Sequence, residues 1–240
     1  MHYSTISANA AVAHGTGRSV GGGAYVVNQR AAIYYSTIDS NTAQYGAGFV
    51  QYDSRNDAIV QNSTISGNSA SVKFGGLALT CAFRSIPQGD CLMTLAVSNS
   101  TIAFNTAPLY PGVWTASPIA VQSTIIARNS DATGDIADLY VSSAFSASHS
   151  TGANNLIVSS SVAFPGTMSA DPLLAPLAFH GGGTRTHALA ATSPAIDHGN
   201  NAAKLVTDQR GSGRVVNNVA DIGAYERQIG DDEIFFSEFN

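Results

Sequence analysis

One tripeptide recurs along this chain and limits what it can fold into. Ser-Thr-Ile begins at Ser4, Ser36, Ser63, Ser100 and Ser123, in steps of 32, 27, 37 and 23 residues. An Asn follows the Ser by five residues in four copies (Asn9, Asn41, Asn68, Asn105) and by six in the last (Asn129). Between the copies lie short apolar segments led by Gly: "GGGAYVV", "GAGFVQY", "GGLALTC" and, in the equivalent place, "PGVWTA". A period in the twenties to thirties means stacked supersecondary units, each packed only on its neighbours. Helical repeats need amphipathic runs of about ten residues or more with a 3.6 period. Here the apolar runs are short, β-branched or aromatic, and broken by turn residues. A leucine-rich repeat is excluded because its Leu ladder is missing. The reading that remains is an all-β chain: a single-stranded, right-handed parallel β-helix of about six coils.

Each copy reads as two strands joined by a bend. In "LAVSNSTIAFN", Leu95 and Val97 point inward, the chain bends near Asn99, and Ile102 points inward on the next strand. Asn62 and Asn99 fill this bend in two copies, Tyr35 and Gln122 in two others. Asn41, Asn68 and Asn105 fall in the following turn. A carboxamide carries both donors and an acceptor, so Asn side chains stacked from coil to coil can bond along the axis. Asn also tolerates the left-handed backbone that tight corners require. Gly before the third strand is expected to supply positive φ, and Ser and Thr to line the outer faces.

Composition agrees with such a solenoid. Charged residues make up only 11%, less than half the usual share of about 25%. Hydrophobic residues reach 44%, with a mean hydropathy of +0.06, which is enough for a core and argues against disorder. The net charge is −5 and no basic stripe exists, which argues against nucleic acid as a partner. No apolar run is long enough to be a transmembrane helix. The first residues already lie inside the repeat and show no cationic, then apolar, leader. Further coils are therefore expected upstream, and with them export to the cell surface or the medium.

The expected organisation is coils over residues 1–170, a capping region over 171–228 and a tail over 229–240. The segment from Phe164 to Leu177 is Pro-rich and expected to lie across the end of the stack. Charge then gathers: Arg185, Asp197, Asp208, Arg210, Arg214, Asp221 and Glu226. Four acids face three Arg, which reads as a clasp that holds a polar cap on the last coil, since solenoid ends expose apolar cross-section and strand edges. The rival reading makes the four acids a cluster for acid/base work or Ca²⁺.

The motifs "SPAIDHG", "DQRGSGR" and "DIGAYE", together with the "STISGN"-type coils, resemble bacterial right-handed parallel β-helix surface proteins with a choice-of-anchor Q domain. These are distantly similar to polymorphic outer-membrane proteins. The resemblance spans nearly the whole chain and implies a secreted or surface location without implying a defined enzymatic activity. The tail "DDEIFFSEFN" is similar to short tails of such proteins but has Ser237 and Glu238 where Gly is expected.

Few residues in the coils suggest chemistry. Cys81 and Cys91 lie ten residues apart around a Pro- and Gly-containing loop, spaced either to close a disulfide or to remain separate thiols. Asp131, Asp135 and Asp138 offer oxygens for Ca²⁺, at spacings that miss the EF-hand pattern. Asp53 and Asp57 sit four apart in a loop with Arg55 and read as solvated turn residues. The acids of the coils form no Asp-Asp pair of the kind glycoside hydrolases of this shape use, the six His form no metal-spaced pair, and no nucleophile elbow occurs. The aromatic residues Tyr34, Tyr45, Tyr52, Tyr110 and Trp114 could stack a sugar if they share one outer face. The functional expectation is a non-catalytic secreted or cell-surface protein, adhesin-like or carbohydrate-binding, with glycans or host surface components as partners. The alternative is a polysaccharide lyase or hydrolase of the pectin-degrading type.

Overall fold

The computed structural model describes residues 1–52, 55–80, 93–131, 133 and 137–231. Three long parallel sheets wrap a common core, each complete turn of the chain contributing one strand to each, and a fourth, two-stranded parallel sheet pairs Thr42–Tyr45 with Ser69–Lys73. The Ser-Thr-Ile sheet stacks Thr5–Ser7, Thr37–Asp39, Thr64–Ser66, Thr101–Ala103, Ile125–Ala127 and Leu156–Ile157. Before it in each turn comes the entry sheet: Ala31–Tyr34, Ala58–Gln61, Leu95–Ser98, Ile119–Gln122 and Thr151–Ala153. After it comes the Gly-led sheet: Ala24–Val27, Phe49–Tyr52, Leu77–Thr80, Val113–Thr115 and Leu139–Val141. The chain is thus a parallel β-solenoid. Four turns carry all three strands, fewer than the six expected, because the two end turns are partial. The repeat copies sit in register, Ile38 beside Ile65 and Ile65 beside Ile102. In the fifth copy the register slips by one: Ile102 pairs with Ile126, and Thr101 with Ile125. That slip explains why Asn129 follows its Ser by six residues, and it puts Ser123 at the bend instead of Gln122.

Inward side chains repeat with period 2 along each strand. Ile38, Ile65, Ile102 and Ile126 meet Val60, Leu95, Val97, Leu77 and Val113 in one continuous core. Three columns of corner residues in left-handed backbone run along the stack. Tyr35, Asn62, Asn99, Ser123 and Asn154 form the first column, at φ between 46° and 53°. Ser40, Gly67, Phe104 and Arg128 form the second, and Gly21, Gly46, Phe74 and Tyr110 the third. The glycine that directly precedes each of the first four strands of this sheet has another task. A Cβ on Gly48 would lie 2.3 Å from the Gly76 carbonyl oxygen, so the stacked backbones could not approach. The expected role of positive φ belongs to the first residue of this corner, not to the last.

The second corner carries the polar spine. Asn41 Oδ1 accepts from both the backbone N–H and the side-chain Nδ2 of Asn9. The pattern repeats from Asn41 to Asn68, from Asn68 to Asn105 and from Asn105 to Asn129. The second hydrogen of each amide goes to the Ile carbonyl of the turn before, as Asn105 Nδ2 to Ile65 O at 3.0 Å. Every donor and acceptor of these buried carboxamides is used. The ladder ends on Asp138, whose Oδ1 accepts twice from Asn129 and whose Oδ2 accepts from Ser159 N–H. Burial pushes this carboxyl up to about 6, the three donated bonds opposing the shift. A second ladder uses the repeat serine: Ser36, Ser63 and Ser100 each accept the N–H of the serine one turn before.

The segment from Phe164 to Met168 closes the end of the stack, with Phe164 in the core and Met168 bridging Leu156. The charged region that follows departs from the expectation of a clasp on the last coil. It runs back along the outer face of the Ser-Thr-Ile sheet to the first turn. Gln209 Nε2 donates to Thr37 Oγ1 and its Oε1 accepts from Thr64 Oγ1, the Ala224 N–H donates to Thr101, and Asn200 exchanges bonds with Ser123. The threonines expected to face solvent are therefore buried. Where Ile125 and Leu156 replace Thr, the cover meets them with Ala195, Ile222 and Tyr225. Arg185 pairs with Asp39 of the solenoid at 2.6 Å, and not with an acid of its own segment. Within the cover, Arg210 pairs with Asp208 at 2.8 Å. Arg214, fully buried, donates to the Gly223 and Asp221 carbonyls and lies 3.7 Å from Glu226. The three motifs lock to one another through the backbone as well, as in Ile222 N–H to Ala195 O and Gln209 N–H to Ala224 O.

Replacing Asn105 by Ala orphans the Asn68 and Asn129 groups in a dry stack and is expected to cost about 2–4 kcal/mol. The same change at exposed Asn9 should cost under about 1 kcal/mol. Urea denaturation compares the two, and equal losses would mean that the ladder adds little. The cover predicts a pH effect. Burial raises the Glu226 carboxyl to about 7, so the folded state keeps a proton that the unfolded chain releases near 4.5. This group's contribution to stability must then fall as pH rises from about 4.5 to about 7. The stability advantage of wild type over Glu226→Gln should shrink by about 2–3 kcal/mol across that window. Opposite-sloped contributions such as that of buried His187, pushed down to about 4, cancel in the difference.

Candidate functional site

Outward residues of the Gly-led sheet form one row across the turns: Tyr25, Val50, Ala78, Trp114 and Tyr140. The next outward row places Tyr52 beside Val27 and Thr80. Strands about 4.8 Å apart thus present large rings at intervals along the axis. The third corner adds two more. Phe74 and Tyr110 hold left-handed backbone, at φ 67° and 57°, where the corresponding corners use Gly21 and Gly46. Such a backbone costs a non-glycine residue about 1–2 kcal/mol, and strain of this kind collects at functional sites. Here the strained residues turn their rings over the small outward residues Val50 and Ala78, which are buried beneath them.

The rings form a seam of two contacting groups along one face. Tyr25 lies 6.3 Å from Tyr52. Phe74 lies 4.9 Å from Trp114 and 5.8 Å from Tyr110, and Tyr110 reaches Trp114 at 6.0 Å and Tyr140 at 4.9 Å. Beside the seam is a cavity of about 340 Å³ whose walls include Tyr25, Tyr45, Tyr52, Phe74 and Trp114. Two cations enter it. Arg18 stands 5.4 Å from the Tyr45 ring centre, and Lys73 stands 5.9 Å from Tyr45 and 4.7 Å from Phe74. A second cavity of about 410 Å³ lies past Tyr110, with Leu109, Tyr140, Asp131 and Ser159 among its walls. Tyr25, Tyr52 and Tyr140 are 44%, 40% and 42% exposed, so their rings are available to a ligand.

Of the five aromatic residues singled out in the sequence, Tyr45, Tyr52, Tyr110 and Trp114 come together here. Tyr34 does not: it lies on the entry sheet near His2, at 6.0 Å. Sequence reasoning missed Tyr25 and Tyr140, although both fall in the Trp114 column once the Gly-led segments are aligned. It also missed Phe74, at a corner, Arg18, in a loop, and Lys73, the last residue of the short strand Ser69–Lys73, none of which carries a periodic signal.

The other candidates are occupied structurally or fall elsewhere. Asp208, Asp221 and Glu226 each accept two or more backbone N–H groups inside the cover. The Asp197 N–H donates to Asp221, at φ 54°. Of the proposed Ca²⁺ ligands, Asp138 ends the Asn ladder, Asp131 accepts from Thr133, and Asp135 lies outside the described residues. Among the described residues no group of three His, Cys, Asp or Glu is placed to hold a metal. Asp57 accepts the Thr94 N–H, and Asp53, the Cys81–Cys91 pair and residues 232–240 lie outside the described residues. No helix is long and apolar enough to cross a membrane among the described residues. Buried His187 bonds Ser66 Oγ at 2.8 Å and the Ala175 carbonyl at 2.7 Å, beneath the cover and away from solvent.

The strained corner gives a test independent of any ligand. Phe74→Ala removes the ring but keeps a Cβ strained in left-handed backbone, whereas Phe74→Gly removes both the ring and that strain. Phe74→Gly should therefore be more stable than Phe74→Ala by about 1 kcal/mol, the reverse of the usual order. Equal midpoints in chemical denaturation would show that the corner stores no strain.

Comparison with known proteins returns no matching family model, no matching curated protein and no matching solved structure.

Proposed function

We propose that this chain is a non-catalytic glycan-binding β-solenoid, adhesin-like in role, that works outside the cell or on its surface. The observation that carries this reading is the aromatic seam on the Gly-led sheet. Sugar rings present C–H faces that stack on aromatic rings, and the exposed edges of Tyr add hydroxyls for hydrogen bonding. Seven aromatic side chains from several turns line one face, whereas the opposite flank is sealed by the cover. Rings held by stacked strands and strained corners are pre-organised, so little ordering cost falls on binding. The resemblance of the three C-terminal motifs to surface β-helix proteins supports the location.

Trp114 is the only tryptophan of the chain, so its fluorescence reports directly on the seam. Titration with soluble oligosaccharides should change its emission saturably. Tyr52→Ala should weaken that binding about tenfold, whereas Tyr34→Ala, away from the seam, should leave it unchanged. Absence of a response across neutral and acidic oligosaccharides would refute the reading. Release of unsaturated products during incubation would replace it with the lyase alternative.

A further inference from the structure

The chemistry around Tyr45 goes further than stacking, on the premise that the seam binds glycans. Arg18 and Lys73 come from different turns yet converge on one ring, both within 6 Å of its centre. Among the described residues neither makes an ion pair, and no described residue lining this cavity is an acid. The chain as a whole carries a net charge of −5, whereas the described charged residues lining this cavity are both cations. Both cations present positive charge beside one ring, and the ring faces compensate it only in part. An anion at this end of the cavity would supply the compensation that no described acid there gives. The walls are otherwise mostly apolar and aromatic, so the anion should belong to a ligand with a flat apolar face.

The second cavity differs. Its walls carry Ser159, Ser160, Ser161 and Asp131 and no cation among the described residues. Tyr110 joins the two cavities through its contacts with Trp114 and Tyr140. A ligand that follows the rings from one cavity to the other runs along the solenoid axis and passes a new strand about every 4.8 Å. That rise is close to the length of one sugar in an extended polysaccharide.

We infer that the seam binds an acidic polysaccharide lying along the solenoid axis, with one acid group held at the Arg18 and Lys73 end of the first cavity and the chain continuing over Trp114 and Tyr110 toward Tyr140. The charge asymmetry of the two cavities sets its direction: an acidic sugar is favoured at the Arg18 end and a hydroxyl-rich one at the Ser159 end. Arg18 and Lys73 select the ligand, and the rings supply the stacking surface common to all sugars.

The test is a Trp114 fluorescence titration with oligogalacturonides and hyaluronan oligosaccharides as acidic probes, and xylo- and cello-oligosaccharides as neutral ones. Wild type should bind an acidic probe at least about tenfold more tightly than the neutral ones, and that margin should narrow as salt is raised. In the double variant Arg18→Gln, Lys73→Gln the two classes should bind alike. Tyr140→Ala should weaken long acidic oligomers about tenfold and short ones much less. Wild type that binds neutral and acidic probes equally, or a double variant that keeps the preference, overturns the inference while leaving glycan binding in place. Loss of the length dependence on Tyr140 overturns the axial placement. A protein that binds neither class overturns the glycan reading itself. Circular dichroism of each variant confirms that it folds, since the substituted side chains lie at the surface of the stack.

Discussion

The stacked carboxamide is the interaction on which the rest of this structure depends. Each Asn of the second corner ties its own backbone and side chain to the next turn, and its remaining hydrogen to the turn before. A buried amide left unpaired is costly, and a paired one tolerates only one register. The ladder therefore fixes how each turn sits on its neighbour, although the loops between turns vary in length. Strand pairing alone would permit slippage by two residues, since side chains repeat with period 2. The fifth copy shows the ladder prevailing over the repeat: the Ser-Thr-Ile tripeptide slips by one so that Asn129 stays in line.

Stacking also decides how the two flanks differ. The Ser-Thr-Ile face is flat and lined with small hydroxyls, which suits a second polypeptide layer bonded through Gln209 and backbone groups. The Gly-led face has deep corners where Gly lets backbones approach, and rings from Phe74 and Tyr110 roof over small residues. One flank is closed with polar satisfaction and the other left open with apolar rings. The aromatic groove is a consequence of the same coil geometry that forms the ladder, with larger side chains at outward positions.

Charge is scarce in this chain, so where it is spent is informative. The acids of the C-terminal region are consumed by backbone N–H groups and buried arginines, which makes them structural cement. Asp39 and Asp138, acids of the solenoid itself, terminate a salt bridge and a ladder. Arg18 and Lys73 differ: their described partners are aromatic faces. That contrast singles out the groove more sharply than the rings alone do.

Much of the architecture was legible in the sequence because it repeats. Spacing of Ser-Thr-Ile and Asn determined a parallel solenoid, the inward Ile column and the stacked Asn corner, since a period of this length admits few other packings. Four of the five proposed aromatic residues do share a face, Tyr52 and Trp114 as outward residues of Gly-led strands, Tyr45 at the end of the neighbouring strand Thr42–Tyr45 and Tyr110 at a corner. The route of the C-terminal segment was not legible. Its Arg and acid pattern is compatible with an end cap or a lateral cover, and only complementarity to the Thr row, formed by residues 145 and 172 positions away from Gln209, decides between them. Phe74 was hidden for a related reason: a corner that takes Gly21 and Gly46 in other turns carries no periodic signal when it takes Phe. Local pattern is a property of neighbours in sequence, whereas the groove and the cover are made by residues that meet only when turns stack.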